Sequence, residues 1–383
     1  MILMYVLIIS FSVFFAILEH TLREKIPIMK KIFYLYVLFP MIIGCSKDTS
    51  QGMCFESIEY IQDFPYYSQL KHGDNYSIDL IGKVDLCIQD SFLIINTLDD
   101  NGKWNFFSTH SGEFCGRLFR KGHGPCEFVQ GPNLDSNTTF YKKNGNLYAT
   151  VYDFGSGKLY SVDIQESLKS QEILATHYSY RFDRFLGNCI LLDSDFSDDA
   201  CFLIRKMNNF TGNFPLKICS RGKELTENDV VSQLNAFHLE KGHRQTVLSS
   251  FMRYNLKNRR IVQVPLFLNY INIFNIDGTF CKTICIDPQL IEINENVETE
   301  LRDVFDDVRV FDDFFVVMCD MEKRKSLLFF DYEGRPLYDL RYNNSANRFD
   351  IDMKKQKLYL LDYENDIIEY YDVSDVVETI NKY

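Results

Sequence analysis

From Ser57 onward the chain alternates short apolar runs with tight polar turns, and few stretches hold a helical period for long. One phrase recurs: a strand, a tight turn, an apolar strand ending in an acid or amide, then a second hairpin. In the first unit residues 84–88 turn at Gln89-Asp90-Ser91 into 92–96, and 104–107 lead through Ser111-Gly112 to 114–119. The second unit turns at Asn144-Gly145, a strong two-residue hairpin signal, into 147–153. The third is expected to turn at Gly187-Asn188 into 189–193, and the fourth runs irregularly from 247 to a turn at Asp277-Gly278. The fifth turns at Asp312-Asp313 into 314–320, and the last turns at 354–356 into 358–362 and ends with 367–372. Polar inserts near 223–240 and 289–303 have the character of short helices or long loops.

Units of this length, each built from several strands, predict an all-β, six-bladed β-propeller. A two-sheet sandwich would not need the same phrase so often. The final unit shows three strands, and residues 57–61 form an orphan strand before the first unit. The expectation is that this orphan pairs beside 367–372 and closes the ring, because an open ring leaves two free edges.

The region before the repeats has a different pattern. An uncharged apolar run, 2–18, is followed by Arg23, Glu24 and Lys25. Then come Met29-Lys30-Lys31, a second apolar run at 32–43, and Gly44-Cys45, the layout of a secretory signal. Ile42-Ile43-Gly44-Cys45 resembles the lipobox of bacterial lipoproteins, in which the cysteine becomes the acylated first residue of the mature chain. This divides the sequence into a hydrophobic extension (1–28), a lipoprotein signal (29–45), a tether (46–56), the propeller (57–376) and a tail (377–383). The expected address is the bacterial cell envelope, with lipid on Cys45 as the membrane partner and the outer membrane as the anchoring site.

Aromatic residues make up 15% of the chain, which suits strands, and the net charge of −12 disfavours a phosphate backbone as partner. The ten cysteines other than Cys45 show no C-x-x-C spacing, so most are expected to be small buried side chains.

Two sets of residues are candidates for chemistry. The first is the stretch Gly122-His123-Gly124-Pro125-Cys126-Glu127-Phe128. It is not a phosphate loop, which needs a longer spacing and a following helix. It is either a tight interblade turn, with Glu127 accepting backbone N–H groups, or a ligand loop presenting His123 and Glu127. The second set is Asn96, Asp153, Asp193, Asp320 and Asp362, which end the apolar strands taken as second in each blade. On one face of a propeller they would form an acidic rim for a cation or a polyhydroxylated ligand, or each would cap its own turn. The acid run from Asp193 to Asp199 lacks the glycine and the terminal acid of a calcium loop. No serine or cysteine nucleophile arrangement can be assembled.

With the lipobox at Cys45, the early strand Ile58-Glu59-Tyr60-Ile61 and Gly122-x-Gly124-Pro125-x-Glu127-Phe128, the chain resembles the six-bladed TolB-like propeller lipoproteins of Bacteroidota. It departs from their glycine phrase at Cys126, where a glycine is expected. The resemblance covers 57 to the C-terminus and implies fold and address more than activity. Two functions are carried forward. One is a lipid-anchored, non-catalytic module for an envelope protein or carbohydrate ligand, with no cofactor. The other is a metal-dependent hydrolase or lyase acting on a carbohydrate or lactone through the acidic rim, with calcium as its metal.

Overall fold

The computed structural model describes residues 53–382 apart from 72, 125–126, 130, 135–136, 180–181, 183–185, 207–214, 226–227, 237–244, 292, 294–301 and 322–323. Cys45 and the signal segment lie outside the described residues.

Six antiparallel sheets form the blades of a propeller. Blade one runs from Lys83–Gln89 through Phe92–Thr97 and Trp104–Ser108 to Phe114–Leu118. Blade two holds Thr139–Lys143, Asn146–Asp153, Lys158–Asp163 and Ala175–His177, and blade three Leu186–Leu191, Cys201–Lys206, Leu216–Ser220 and Lys223–Leu225. Blade four spans Ser250–Asn255 to Cys281–Cys285, blade five Phe305–Val310 to Pro336–Arg341, and blade six Arg348–Asp352 to Ile367–Asp372. The first strands of neighbouring blades approach one another around the axis. Because strands alternate in direction, the turns between first and second strands share one face, here called the turn face. The turns between second and third strands lie on the opposite, entry face, together with the links between blades.

Apolar side chains on both surfaces of each sheet bury against the next blade, so the core is divided among the interblade clefts. Trp104 and Phe106 fill the cleft between blades one and two, and Tyr152 and Phe202 that between two and three. Among the described residues three short α-helices flank the ring, at Ile164–Ser170, Asp229–Asn235 and Ser374–Ile380. Asp163 caps the first by accepting the Glu166 N–H at 3.0 Å. The last buries Val376, Val377 and Ile380 against blades five and six, so the folded unit runs past the boundary expected at 376.

The N-terminal segment behaves differently from the expectation. Ile58–Tyr60 does not close the ring; it pairs parallel with Cys281–Cys285 as a fifth strand of blade four. Tyr67–Gln69 adds in the same way to blade five, beside Pro336–Arg341. Closure falls to Asp74–Asn75, which pairs antiparallel with Ile367–Asp372, placing Asp74 opposite Tyr370 and Asn75 opposite Glu369. The segment is a belt with an apolar plug for each cleft that it passes. Met53 and Phe55 enter between blades three and four, Ile61 and Phe64 between four and five, Leu70 between five and six, and Tyr76, Ile78 and Leu80 between six and one. The orphan strand cannot reach the last blade because its plugs hold it two blades earlier in the circuit.

Blade three also corrects the expected register. Gly187-Asn188 is no turn: a bulge lies between Leu186 and Asn188 inside the first strand. The same irregularity follows Lys83 in blade one and Phe305 in blade five. The segment 189–193 therefore belongs to a first strand, not a second.

Candidate functional site

The glycine stretch links blades one and two on the entry face. Phe119 bends into the link with φ of 67°. Lys121 and Phe128 then form an isolated parallel bridge, with the Phe128 N–H donating to Arg120 O at 3.0 Å. The Glu127 carboxylate lies inside this loop, accepts the Gly124 N–H at 2.9 Å, and sits 3.7 Å from Arg120 Nε. A Cβ on Gly122 would meet that carboxylate, so a side chain there would have to push Glu127 out of the loop. His123 is exposed and its neighbours Pro125 and Cys126 lie outside the described residues. The loop rests on both adjacent blades: Phe128 packs on Phe119 and Tyr160, Lys103 Nζ donates to Gly131 O, and Gly155 presses on Val129. Glu127 thus has the architectural role of organising an interblade turn.

The acids and amide of the second set divide between the two faces. Asn96, Asp153, Asp320 and Asp362 stand at or near the ends of second strands, on the entry face. Asp193 follows a first strand and lies toward the turn face, where it accepts the Cys201 N–H, so the expected five-membered rim does not form. Asp153 accepts the Gly155 N–H at 3.1 Å. Asp362 accepts the N–H groups of Glu364 and Asn365, each at 3.1 Å, and the Ser345 hydroxyl. Burial opposes its ionisation, but these donors outweigh burial and hold its carboxyl below the usual range. Asp320 pairs with Lys325 at 2.8 Å, and Asn96 is buried opposite Asp85 and Trp104. Turn capping and pairing occupy the four acids, while the buried Asn96 Oδ1 meets no hydrogen-bond partner among the described residues.

A large cavity of about 1020 Å³ opens on the turn face, at the axis. Its mouth is built from the first turns of the blades, and ion pairs join these turns from blade to blade. Asp90 of blade one meets Lys142 of blade two at 2.8 Å and Lys354 of blade six at 3.7 Å. Lys257 of blade four meets Asp313 of blade five at 2.7 Å. Outside the cavity lining, Lys143 of blade two reaches Asp195 of blade three at 3.0 Å, which gives part of the acid run after Asp193 a structural role. Ile88, Phe140, Ile190, Met252, Phe311 and Ile351 supply apolar wall between the charges.

Arg309 and Asp350 line the deep end of this cavity, and behind them is a buried ionic cluster. Asp85, Asp307 and Asp350 occupy the first strands of blades one, five and six, and each accepts the N–H of the residue after it, at 2.7–2.8 Å. Arg309 Nη1 lies 2.8 Å from Asp307, Nη2 lies 3.1 Å from Asp85, and Nε lies 3.7 Å from Asp350. Its remaining donors reach the carbonyls of Leu86 and Phe349. Burial works against the guanidinium charge, but the three carboxylates outweigh it and raise the Arg309 pKa. Burial raises the Asp307 carboxyl and pushes that of Asp350 up to about 6, with Arg309 pulling the other way. Cys87, on the same wall, has its thiol raised by burial first and by Asp350 next, so it is no nucleophile there.

A smaller cleft of about 320 Å³ opens on the entry face between blades four, five and six. Asp303, Asp306 and Asp320 face Arg348 and Lys325 in it, and Asp306 is pushed up to about 7 by burial first, then by the two other acids. Among the described residues no group of three acidic, histidine or cysteine side chains is arranged to hold a metal ion. The nine described cysteines are all free thiols, five of them buried.

The sequence pattern did not mark Arg309, Asp350, Lys142 or Lys257. Apart from Asp307, two residues before Arg309, their charged partners lie in other blades, so no local spacing betrays the set; only Asp85, Asp307 and Asp350, each near the start of a first strand, repeat a recognisable position.

No family model and no curated protein matches the chain. Among solved structures it is similar to a protein of Bacteroides fragilis described as exported, with 11% identity, covering 82% of this chain and 98% of that one at a TM-score of 0.47. It is similar to a member of the DUF4221 family from Bacteroides vulgatus, with 11% identity over 79% and 94% of the two chains and a TM-score of 0.44. A comparable likeness, 12% identity over 82% and 83% at 0.44, is to hydrazine synthase from Kuenenia stuttgartiensis. Among the described residues no helix is long and apolar enough to cross a membrane.

Proposed function

We propose that this chain is an exported envelope propeller of the TolB-like lipoprotein type, anchored through lipid on Cys45, that binds a small ligand in the central cavity of its turn face. The cavity carries this reading: it is of the size of small-molecule sites, lies on the axis, and combines apolar wall with fixed charged groups. The ion pairs at its mouth span blades, so the lining groups are held in place before any ligand arrives. The alternative, metal-dependent hydrolysis through the entry-face acids, is less favoured, because those acids already serve turn N–H groups and a lysine.

Two measurements test the reading. Expressed with its leader, the protein should partition into detergent and carry lipid, and Cys45→Ala should abolish both; lipid on the variant would refute the anchor. A small-molecule thermal-shift screen on the full chain should give hits that Tyr254→Ala, in the cavity wall, removes. Hits that persist in Tyr254→Ala and in Phe311→Ala would place the ligand elsewhere.

A further inference from the structure

Resting on that cavity as the binding site, the geometry points to an uncharged polyhydroxylated ligand, a neutral saccharide, as the class it takes. Charge balance is the first ground. The acids on the lining are Asp90, Asp312, Asp313, Asp350 and Asp352. The bases are Lys142, Arg253, Lys257, Arg309 and Lys354, five against five. Behind the lining Asp85 and Asp307 already compensate Arg309, so the cavity offers no uncompensated buried cation to concentrate an anion such as a nucleotide.

The second ground is how those charges are engaged. Asp90 is held by Lys142 and Lys354, Asp313 by Lys257, and Asp350 by Arg309 and two backbone N–H groups. Asp352 accepts the N–H groups of Lys354 and Lys355. A cationic ligand would have to compete for Asp90 and Asp350, which are largely buried against their cations, whereas the exposed Lys142, Lys257, Lys354 and Asp313 can be solvated or bound without that cost. A hydroxyl donates to a carboxylate and accepts from an ammonium at once, so it can add to a pair without dividing it. Paired charges a few ångströms apart offer this donor and acceptor set repeatedly around the mouth. Between them, Phe140, Tyr254 and Phe311 present aromatic surface for the C–H face of a sugar ring. The volume accommodates more than one ring.

The test is titration of the full chain with maltotriose, cellotriose and mannotriose, beside trigalacturonate, ATP and spermine. At least one neutral trisaccharide should bind, with an affinity changing less than about twofold between roughly 50 and 500 mM salt, because no ion pair with the ligand is screened. Tyr254→Ala should weaken it about tenfold or more, while its thermal midpoint without ligand stays near that of the parent. If a charged probe binds instead, weakens steeply with salt, and is lost in Tyr254→Ala, the saccharide class falls but the cavity stands. If a neutral saccharide binds and neither Tyr254→Ala nor Phe311→Ala weakens it, the cavity reading falls with the inference. Binding of no neutral saccharide overturns the inference.

Discussion

Arg309 Nη2 lies 3.1 Å from Asp85 Oδ1, although the two residues are 224 positions apart and belong to blades five and one. The contact passes across the first strand of blade six, whose Asp350 is the third acid around the same guanidinium. It therefore spans the seam where the last blade meets the first. Asp366 reinforces that seam on the entry face, accepting the N–H groups of Gly82 and Lys83 at 2.8 Å each. Asp90 and Lys354 do so on the turn face.

Removing Arg309 should thus be costly. Arg309→Met leaves three buried carboxylates without their cation, and breaking a buried pair in this way costs about 3–5 kcal/mol. Urea unfolding of the variant should show that loss in a single transition. A lysine at this position keeps charge but cannot reach two carboxylates and two carbonyls with one planar fork, so Arg309→Lys should fall between. A variant as stable as the parent would mean that the cluster does not tie the seam.

Arg205 presents the opposite case. It is buried between blades three and four, donates to Ser250 Oγ at 3.0 Å and to Leu248 O, and has no carboxylate within pairing distance among the described residues. Burial lowers its pKa to about 10. A buried charge with only neutral partners is expensive, and an apolar side chain of similar length removes that cost. Arg205→Met should raise the thermal midpoint, by an amount matching roughly 1–2 kcal/mol. A lower midpoint would show that the two hydrogen bonds outweigh the buried charge.

The six blades were legible because each repeats period-two apolar strands joined by recognisable turns. The belt was not, because its pairing strands are two or three residues long and mostly exposed, and their apolar plugs follow no period. Blade three was misread because Gly187-Asn188 has turn chemistry but lies at a bulge. Glu127 was legible as a turn organiser, since glycine beside an acid has a local cause. The cavity was not, because Asp90 meets Lys142 and Lys257 meets Asp313 only once the ring is closed.

Asp306 gives the protein a pH dependence with a defined sign. Its carboxyl moves from 3.8 to about 7 on folding, burial being the main cause. The folded state therefore holds this proton more tightly than the unfolded chain, and stability attributable to the group falls as pH rises from about 4 to about 7, then levels. Asp306→Asn removes the penalty. The variant should be more stable than the parent at pH 8, with the gap closing toward pH 4. Denaturant midpoints at the two pH values check it; a constant gap would mean that Asp306 does not titrate in this range.

The closing strand supplies the last prediction. Asp74–Asn75 contributes only a two-residue pairing to blade six, so its hold depends on what lies beside it. Gly73 is the critical neighbour. A Cβ there would stand 2.5–2.9 Å from the ring of Tyr371. That ring cannot swing away freely, because it is buried in the cleft between blades five and six and its hydroxyl donates to Glu369 at 2.8 Å and accepts from Asn344. Gly73→Ala must therefore displace either the closing strand or the ring, at a cost of about 1–3 kcal/mol for overpacking. The belt has a second hold at its other end, where Asn272 Nδ2 donates to Met53 O at 2.6 Å and Thr283 Oγ1 accepts the Phe55 N–H at 2.8 Å. Asn272→Ala should loosen residues 53–55 yet leave ring closure intact. The two variants should thus separate in hydrogen exchange: Gly73→Ala should lose protection across 367–372, whereas Asn272→Ala should lose it within blade four and residues 53–60. Loss across 367–372 in Asn272→Ala, or unchanged protection there in Gly73→Ala, would mean that closure does not depend on Asp74–Asn75.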